Sequence, residues 1–164
     1  MEKMQNKLSL LVFVGVVGAV EFIGSFLTIQ AVMNWYPELI KPSFNPPNWL
    51  FAPVWSILYI LIALLIALSG WLVWAKREEN KGAVDAALTI YTIQLFLNVA
   101  WSYLFFWLNS PVMGLIGIIA LWAAIVWNMA SFYRISKKAF YLFVPYVIWV
   151  SFAAILNFAI WQLN

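Results

Sequence analysis

Long runs of apolar side chains, separated by short polar connections, extend along the whole chain. A helix of about 20 apolar residues crosses the hydrocarbon core of a bilayer, and each run is at least that long. The runs cover residues at about 8–33, 48–75, 84–108, 112–133 and 139–161. The pattern predicts an all-α membrane protein, a five transmembrane helix bundle, with residues 1–164 forming a single transmembrane domain.

Basic residues are unevenly distributed over the polar connections. Of the nine Lys and Arg residues, Lys41 alone lies in the first connection. The other eight lie before the first run or in the second and fourth connections. Because short loops rich in Lys and Arg stay on the cytoplasmic side, we predict a cytoplasmic N-terminus and a C-terminus on the outside, together with the loop 35–47.

The composition restricts the chemistry that the chain can perform. It is 66% hydrophobic and 9% charged, with a mean hydropathy of +0.93, and it contains neither His nor Cys. A thiol nucleophile, a disulfide, a zinc site and haem ligation by His or Cys are excluded, so we expect no metal and no cofactor. Hydrolytic and redox enzymes of the common kinds lack their usual side chains here.

The net charge of +3 does not indicate a nucleic-acid partner. The basic residues are scattered over short connections and are not gathered on one folded face, as nucleic-acid binding requires. Acidic phospholipid headgroups are the partners that such connections favour. The lipid bilayer is therefore the expected surroundings, with no nucleic acid bound.

The eleven tryptophans fall into two groups. Indole rings settle at the boundary between headgroups and hydrocarbon, so tryptophans at the ends of the runs need no further role. These are Trp35, Trp49, Trp71, Trp74, Trp107 and Trp161, joined by Trp127 near the inner face. Trp55, Trp101, Trp122 and Trp149 lie well inside their runs, and of these Trp122 is compatible with a position facing lipid.

Three of the inner tryptophans have neighbours at helical spacing, at which side chains share one face. The second run has Trp55 and Tyr59, the third has Gln94, Asn98 and Trp101, and the fifth has Trp149, Ala153 and Asn157. A lone amide facing hydrocarbon is costly, so these amides should point into the bundle. They either bond between helices or line a flat-sided apolar pocket for a small molecule.

Glu21 is the only carboxylate deep inside a predicted span. An ionised carboxylate in hydrocarbon is costly, so Glu21 is either protonated or faces a polar interior. A functional role and a structural role are both compatible with the sequence.

Three stretches carry a specific pattern of aromatic, proline and amide residues. They read WYPELIKPSFNPPNWLFAPVWSILY at 35–59, IYTIQLFLNVAWSYLFF at 90–106 and LFVPYVIWVSFAAILNFAIWQLN at 142–164. In these stretches and in its five runs, the chain resembles the tryptophan-rich sensory protein / translocator protein (TspO/MBR) family, also known as the peripheral benzodiazepine receptor. The resemblance covers essentially the whole chain.

The resemblance implies a five-helix bundle, commonly a homodimer, whose pocket binds tetrapyrroles such as protoporphyrin IX and, in some members, sterols. Family pocket positions correspond here to Tyr36, Pro46, Trp55, Tyr59, Gln94, Asn98, Trp101, Trp149 and Ala153. Some bacterial members degrade bound protoporphyrin in light, with tryptophans that match Trp55 and Trp149. Phe158 and Gln162 replace the tyrosine and the cation of the mammalian sterol motif, so we expect weak sterol binding.

The function that we expect is that of a membrane receptor or sensor for tetrapyrroles and related flat hydrophobic ligands, in a bacterial or archaeal cell membrane. A porphyrin is a flat macrocycle that stacks on aromatic faces. A light-dependent porphyrin-degrading enzyme and a transporter of porphyrins or other lipophilic molecules are the alternatives. Any catalysis would be photochemical and would involve Trp55 and Trp149, because no conventional acid, base or metal group is at hand.

Overall fold

The computed structural model describes residues 2–46 and 53–164, and the side chains of these residues except 2–5, 53–56 and 58. The described chain forms five long helices and no strand. They are α1 (Glu2–Asn34), α2 (Pro53–Trp74), α3 (Lys81–Ser102), α4 (Pro111–Ile135) and α5 (Lys137–Leu163). The predicted start of the second span at residue 48, with Trp49, lies outside the described residues, and so does the side chain of Trp55.

Four of the described helices are long and apolar enough to cross a membrane, namely α1, α3, α4 and α5. The described part of α2 adds a shorter apolar stretch, Tyr59–Trp74. Large apolar side chains such as Phe22, Phe96 and Trp127 are 65% to 75% exposed, as a surface that faces lipid requires. The predicted all-α membrane bundle is confirmed.

Short polar side chains set the helix starts. Asn80, Ser110 and Ser136 each accept a hydrogen bond from the backbone N–H three residues later, which caps α3, α4 and α5. Pro111 occupies the first position of α4, where its missing N–H is no loss. Ser136 alone separates α4 from α5, so these two helices are antiparallel neighbours.

The helices form a closed ring. The principal contacts of α1 are with α2 and α3, those of α4 are with α3 and α5, and α2 packs on α5. The order around the bundle is therefore α1, α2, α5, α4, α3. Near one end of the bundle, the aromatic ring of Tyr91 stacks on that of Phe132, with centroids 6.0 Å apart. The Tyr91 hydroxyl donates to the Ile66 carbonyl at 3.2 Å.

Candidate ligand-binding site

A cavity of about 100 Å³ lies inside the bundle, beside the middle of α1. Its aromatic walls come from three helices, with Tyr59 on α2, Trp101 on α3, and Tyr146 and Trp149 on α5. Helical spacing places Tyr146 and Trp149 on one face of α5, because residues three apart lie one above the other. The cavity is thus flat-sided and mainly aromatic.

A second cavity, of about 70 Å³, adjoins the first on the side of the loop after α1. Tyr36, in a 3-10 turn at Tyr36–Glu38, lines this cavity. Five residues line both cavities: Tyr59, Trp101, Phe106, Trp149 and Ala153. The two cavities are therefore neighbouring parts of one site, which reaches from the loop into the bundle.

The shared aromatic rings brace one another. Tyr59 meets Trp149 edge to face, with ring centroids 6.2 Å apart and an interplanar angle of 82°. Trp101 meets Phe106 in the same manner at 5.7 Å and stacks on Phe105 at 6.0 Å. Such pairs add about 0.5–1.5 kcal/mol each beyond the burial of area. The walls hence have a defined geometry.

A turn of π-helix at Tyr103–Trp107 continues α3 and changes the direction of its aromatic side chains. Phe105 is buried against Tyr36 at 6.4 Å, while the adjacent Phe106 lines both cavities. Across from the turn, an added Cβ at Gly114 of α4 would lie 2.4 Å from Phe105, so only glycine fits there. Single π turns are frequent at functional sites.

A buried polar network supports the inner wall. Asn98 Nδ2 donates to the Tyr146 hydroxyl at 2.9 Å, and this hydroxyl donates to Gln94 Oε1 at 3.1 Å. Gln94 is 0% exposed, and its Nε2 has no hydrogen-bond partner within the described part of the chain. Asn98 and Tyr146 line the cavity, and Gln94 lies behind them.

Asn157 connects the site to the start of α4. Its Nδ2 donates to the Pro111 carbonyl at 2.8 Å, and its Oδ1 accepts from Trp101 Nε1 at 3.5 Å. The residue also lines the second cavity. Asn157 therefore bonds between helices and orients a wall indole.

The loop after α1 is held in place by its own polar groups. The Tyr36 hydroxyl donates to Asn45 Oδ1 at 3.1 Å, and Asn45 Nδ2 donates to the Pro46 carbonyl at 3.0 Å. Burial raises the pKa of Tyr36 to about 12, because the charged phenolate is disfavoured away from water. Lys41 Nζ lies 4.9 Å from the centroid of the Tyr36 ring and donates to the carbonyls of Pro37 and Leu39.

The end of α5 anchors the same loop. Asn164 Oδ1 accepts from the Ile40 N–H at 3.0 Å, and Asn164 Nδ2 donates to the Ile40 carbonyl at 2.9 Å. One amide side chain thus pairs with both backbone groups of a loop residue, in the manner of a strand partner. The loop cannot swing away from the bundle without breaking this pair.

Glu21 and the hydroxyls near it give the inner cavity its polar side. Glu21, Ser25 and Thr28 of α1 all line it. Within the described ranges no three carboxylates lie together. The site therefore offers aromatic faces, amides, hydroxyls and one carboxyl to a ligand.

Residues 12–162 match the TspO/MBR family. The chain belongs to this family. It is 46% identical to the "Tryptophan-rich protein TspO" of Chlorobaculum tepidum, over 96% of each chain. It is 44% identical to the protein of the same name from Archaeoglobus fulgidus, over 97% of this chain and 99% of that one. The human "Translocator protein" is 32% identical over 87% of this chain and 82% of its own.

Membership makes the chain an integral membrane protein of a family whose members carry the names sensory protein and translocator protein. Of the site residues predicted from the sequence, Tyr36, Tyr59, Asn98, Trp101, Trp149 and Ala153 line the two cavities. Gln94 is not among the lining residues and accepts a hydrogen bond from Tyr146, and the Pro46 carbonyl accepts one from Asn45. The side chain of Trp55 lies outside the described residues.

Two wall residues of this TspO/MBR protein were not predicted from the sequence. Tyr146 joins the two predicted amides, and Phe106 lines both cavities. For Tyr146 a usable signal was present: Gln94 and Asn98 need a partner, and Tyr146 lies one turn from Trp149 on another span. Phe106 lines the cavities because of the π turn, and the hydrophobic periodicity of the sequence does not predict such a turn.

Proposed function

We propose that the chain is a membrane receptor or sensor that binds tetrapyrroles of the protoporphyrin IX kind, and related flat hydrophobic ligands, in its aromatic pocket. One observation carries this function. Tyr59, Trp101 and Trp149 line both neighbouring cavities, so an extended flat ring system placed there would contact aromatic faces along its length.

The size of the pocket sets a condition on binding. The two cavities hold about 100 and about 70 Å³. Sites for drug-sized ligands commonly hold about 300–1,000 Å³. A tetrapyrrole therefore requires the aromatic walls to part and the two cavities to merge, which the shared residues between them allow.

The polar edge of a tetrapyrrole has a partner at the loop end of the site. Lys41 lies over the ring of Tyr36, which lines the second cavity. Loop carbonyls use two of its three N–H donors, and within the described ranges the third is left for a propionate. Inside the bundle, Asn98 and Glu21 are the groups that would meet the pyrrole nitrogens.

Titration tests this function. Protein in lipid nanodiscs is titrated with protoporphyrin IX, a metal porphyrin, a linear tetrapyrrole and cholesterol, while its tryptophan emission is recorded. We expect saturable quenching with a 1:1 end point for the tetrapyrroles and weaker binding of cholesterol, since Phe158 and Gln162 replace the sterol-recognising pair. Quenching that rises linearly with porphyrin would reflect partition into lipid and would contradict the proposal.

The membrane, the orientation of the protein in it and the oligomeric state are part of the same proposal. Bacterial and archaeal relatives support a bacterial or archaeal cell membrane, and the basic connections support a cytoplasmic N-terminus and an outer C-terminus. A homodimer is the assembly that we infer. The C-terminal Asn164 and the loop that it holds would then face the outside together.

Light-dependent degradation of the bound porphyrin is the second candidate. It is favoured by the indoles of Trp101 and Trp149 on both cavities, where they would contact an excited ligand. Irreversible loss of porphyrin absorbance in light, but not in darkness, distinguishes an enzyme from a receptor. A transporter finds less support, because α5 continues as one helix through Pro145 and is not a discontinuous helix of the kind that secondary transporters use.

A further inference from the structure

A groove of about 440 Å³ between α1 and α2 is larger than either interior cavity. Val14, Gly18 and Phe22 of α1 lie along one side, and Ile60 and Leu64 of α2 lie along the other. Phe22 is 75% exposed, Ile60 63% and Leu64 49%. The groove therefore opens on the lipid side of the bundle.

Three residues form a wall shared by the groove and the inner cavity. Glu21, Ser25 and Tyr59 line both volumes. Glu21 is half-buried near the middle of α1, and Tyr59 is 43% exposed. Side chains change rotamer much faster than packed helices rearrange. Rotation of these side chains is thus the smallest motion that joins the two volumes.

The helices on either side of the groove are held together beyond its end. Trp71 Nε1 donates to the Asn6 carbonyl and to Ser9 Oγ, each at 3.2 Å. Gly70 allows Phe13 to approach so closely that an added Cβ would lie 2.9 Å from its ring. Because α1 and α2 are fixed there, opening is confined to the stretch that contains Glu21 and Tyr59.

Gly18 keeps the groove wide. A Cβ added to Gly18 would meet no described atom within 4 Å, so contact with a neighbouring helix of the protomer does not explain the glycine. Gly24, one turn and a half further along α1, differs because its Cβ would lie 3.4 Å from Ser102. Gly15 is as open as Gly18 but does not line the groove, which makes it a matched control.

We propose that this groove is a lipid-facing binding site at which a tetrapyrrole dissolved in the bilayer docks, and from which it passes between Glu21 and Tyr59 into the interior site. This route rests on the proposed function, because it supplies the ligand of that site. The apolar sides suit a macrocycle, and the Glu21 carboxyl can accept a hydrogen bond from a pyrrole N–H. An acyl chain offers Glu21 no such bond, and a carboxyl in hydrocarbon needs one.

Stopped-flow quenching of tryptophan emission by protoporphyrin IX in nanodiscs tests the route. Gly18→Phe fills the groove from α1, and Ile60→Trp fills it from α2. We expect each to slow binding and release by the same factor, about tenfold or more, with the equilibrium Kd unchanged, since a blocked route alters both rates alike. Gly15→Phe and Ile57→Trp are the controls, because Ile57 is 69% exposed and neither residue lines the groove.

The outcomes separate the possibilities. Unchanged rates in both groove variants would overturn the route while the proposed function stands. A parent protein without saturable quenching would overturn the proposed function and the route with it. If a second copy of the chain occupies the groove, Gly18→Phe will instead halve the protein mass of the detergent-solubilised particle and leave both rates as they were, which also overturns the route.

Discussion

The Tyr146 hydroxyl donates a hydrogen bond to Gln94 Oε1 at 3.1 Å, and the two side chains are 2% and 0% exposed. The contact joins α5 to α3 behind the inner cavity. Since Asn98 donates to the same hydroxyl, one phenol bonds to one polar group of each of two amides. Both the stability of the bundle and the shape of the site therefore depend on this phenol.

Tyr146→Phe should therefore destabilise the bundle. It leaves Gln94 Oε1 without its partner in a site where Gln94 Nε2 already lacks one among the described residues. A buried unsatisfied polar group costs about 1–3 kcal/mol, so we expect a lower melting temperature in detergent. Tyr141→Phe is the control, because Tyr141 is 64% exposed. Equal melting temperatures for Tyr146→Phe and the parent would contradict the role of the network.

Trp149→Phe should weaken tetrapyrrole binding without unfolding the protein. Phenylalanine keeps apolar bulk at the wall of both cavities but loses part of the aromatic face and the edge contact with Tyr59. A loss of about 1 kcal/mol, or about fivefold in Kd, is expected. Trp55→Phe should act in the same direction.

Trp127→Phe is the matched control for this change, since Trp127 is 65% exposed and lines neither cavity. Trp71 is less suitable as a control because its indole bonds to α1. Titration of the variants by tryptophan quenching gives the comparison. Equal loss of affinity in Trp127→Phe would show that packing, and not the site, was measured.

Asn164→Ala should speed the release of ligand. It removes the two hydrogen bonds that hold Ile40 and with it the loop over the second cavity. At about 1 kcal/mol for each of the two hydrogen bonds, the dissociation rate should rise about thirtyfold. Gln162→Ala serves as the control, because Gln162 is an exposed neighbour on the same helix end.

The double change Pro42→Gly and Pro46→Gly should also raise the rate at which the ligand is released. Proline fixes φ and lowers the conformational entropy of the free loop, so less entropy is lost when the loop is ordered over a ligand. We expect faster release with little change in the rate of binding, as measured by stopped-flow porphyrin fluorescence. An unchanged rate of release would mean that the prolines serve only the entry of the chain into α2.

Reporter fusions test the orientation in the membrane. A reporter after Asn164 should be active only on the outside, and a tag inserted near Asn80 should be reached only from the cytoplasm, because the basic residues lie on that side. Both reporters on one side would contradict the five-span topology. A basic residue added at Ser43 should weaken the bias and leave a mixed population.

Composition and periodicity determined the fold class and most of the wall. A chain with few charges and long apolar runs can satisfy its backbone in a bilayer only as helices. Helical spacing then put Trp101 with Asn98, and Trp149 with Ala153, on common faces. These features follow from local geometry, so the sequence is enough to predict them.

The tertiary structure decided what depends on contacts between distant residues. Tyr146 became the partner of two amides 48 and 52 residues away, and Asn164 became the anchor of Ile40 across 124 residues. The π turn that turns Phe106 toward the cavities arises where α3 packs on Gly114 of α4. Periodicity reports which face a side chain occupies, but the order of the helices around the ring determines what that face meets.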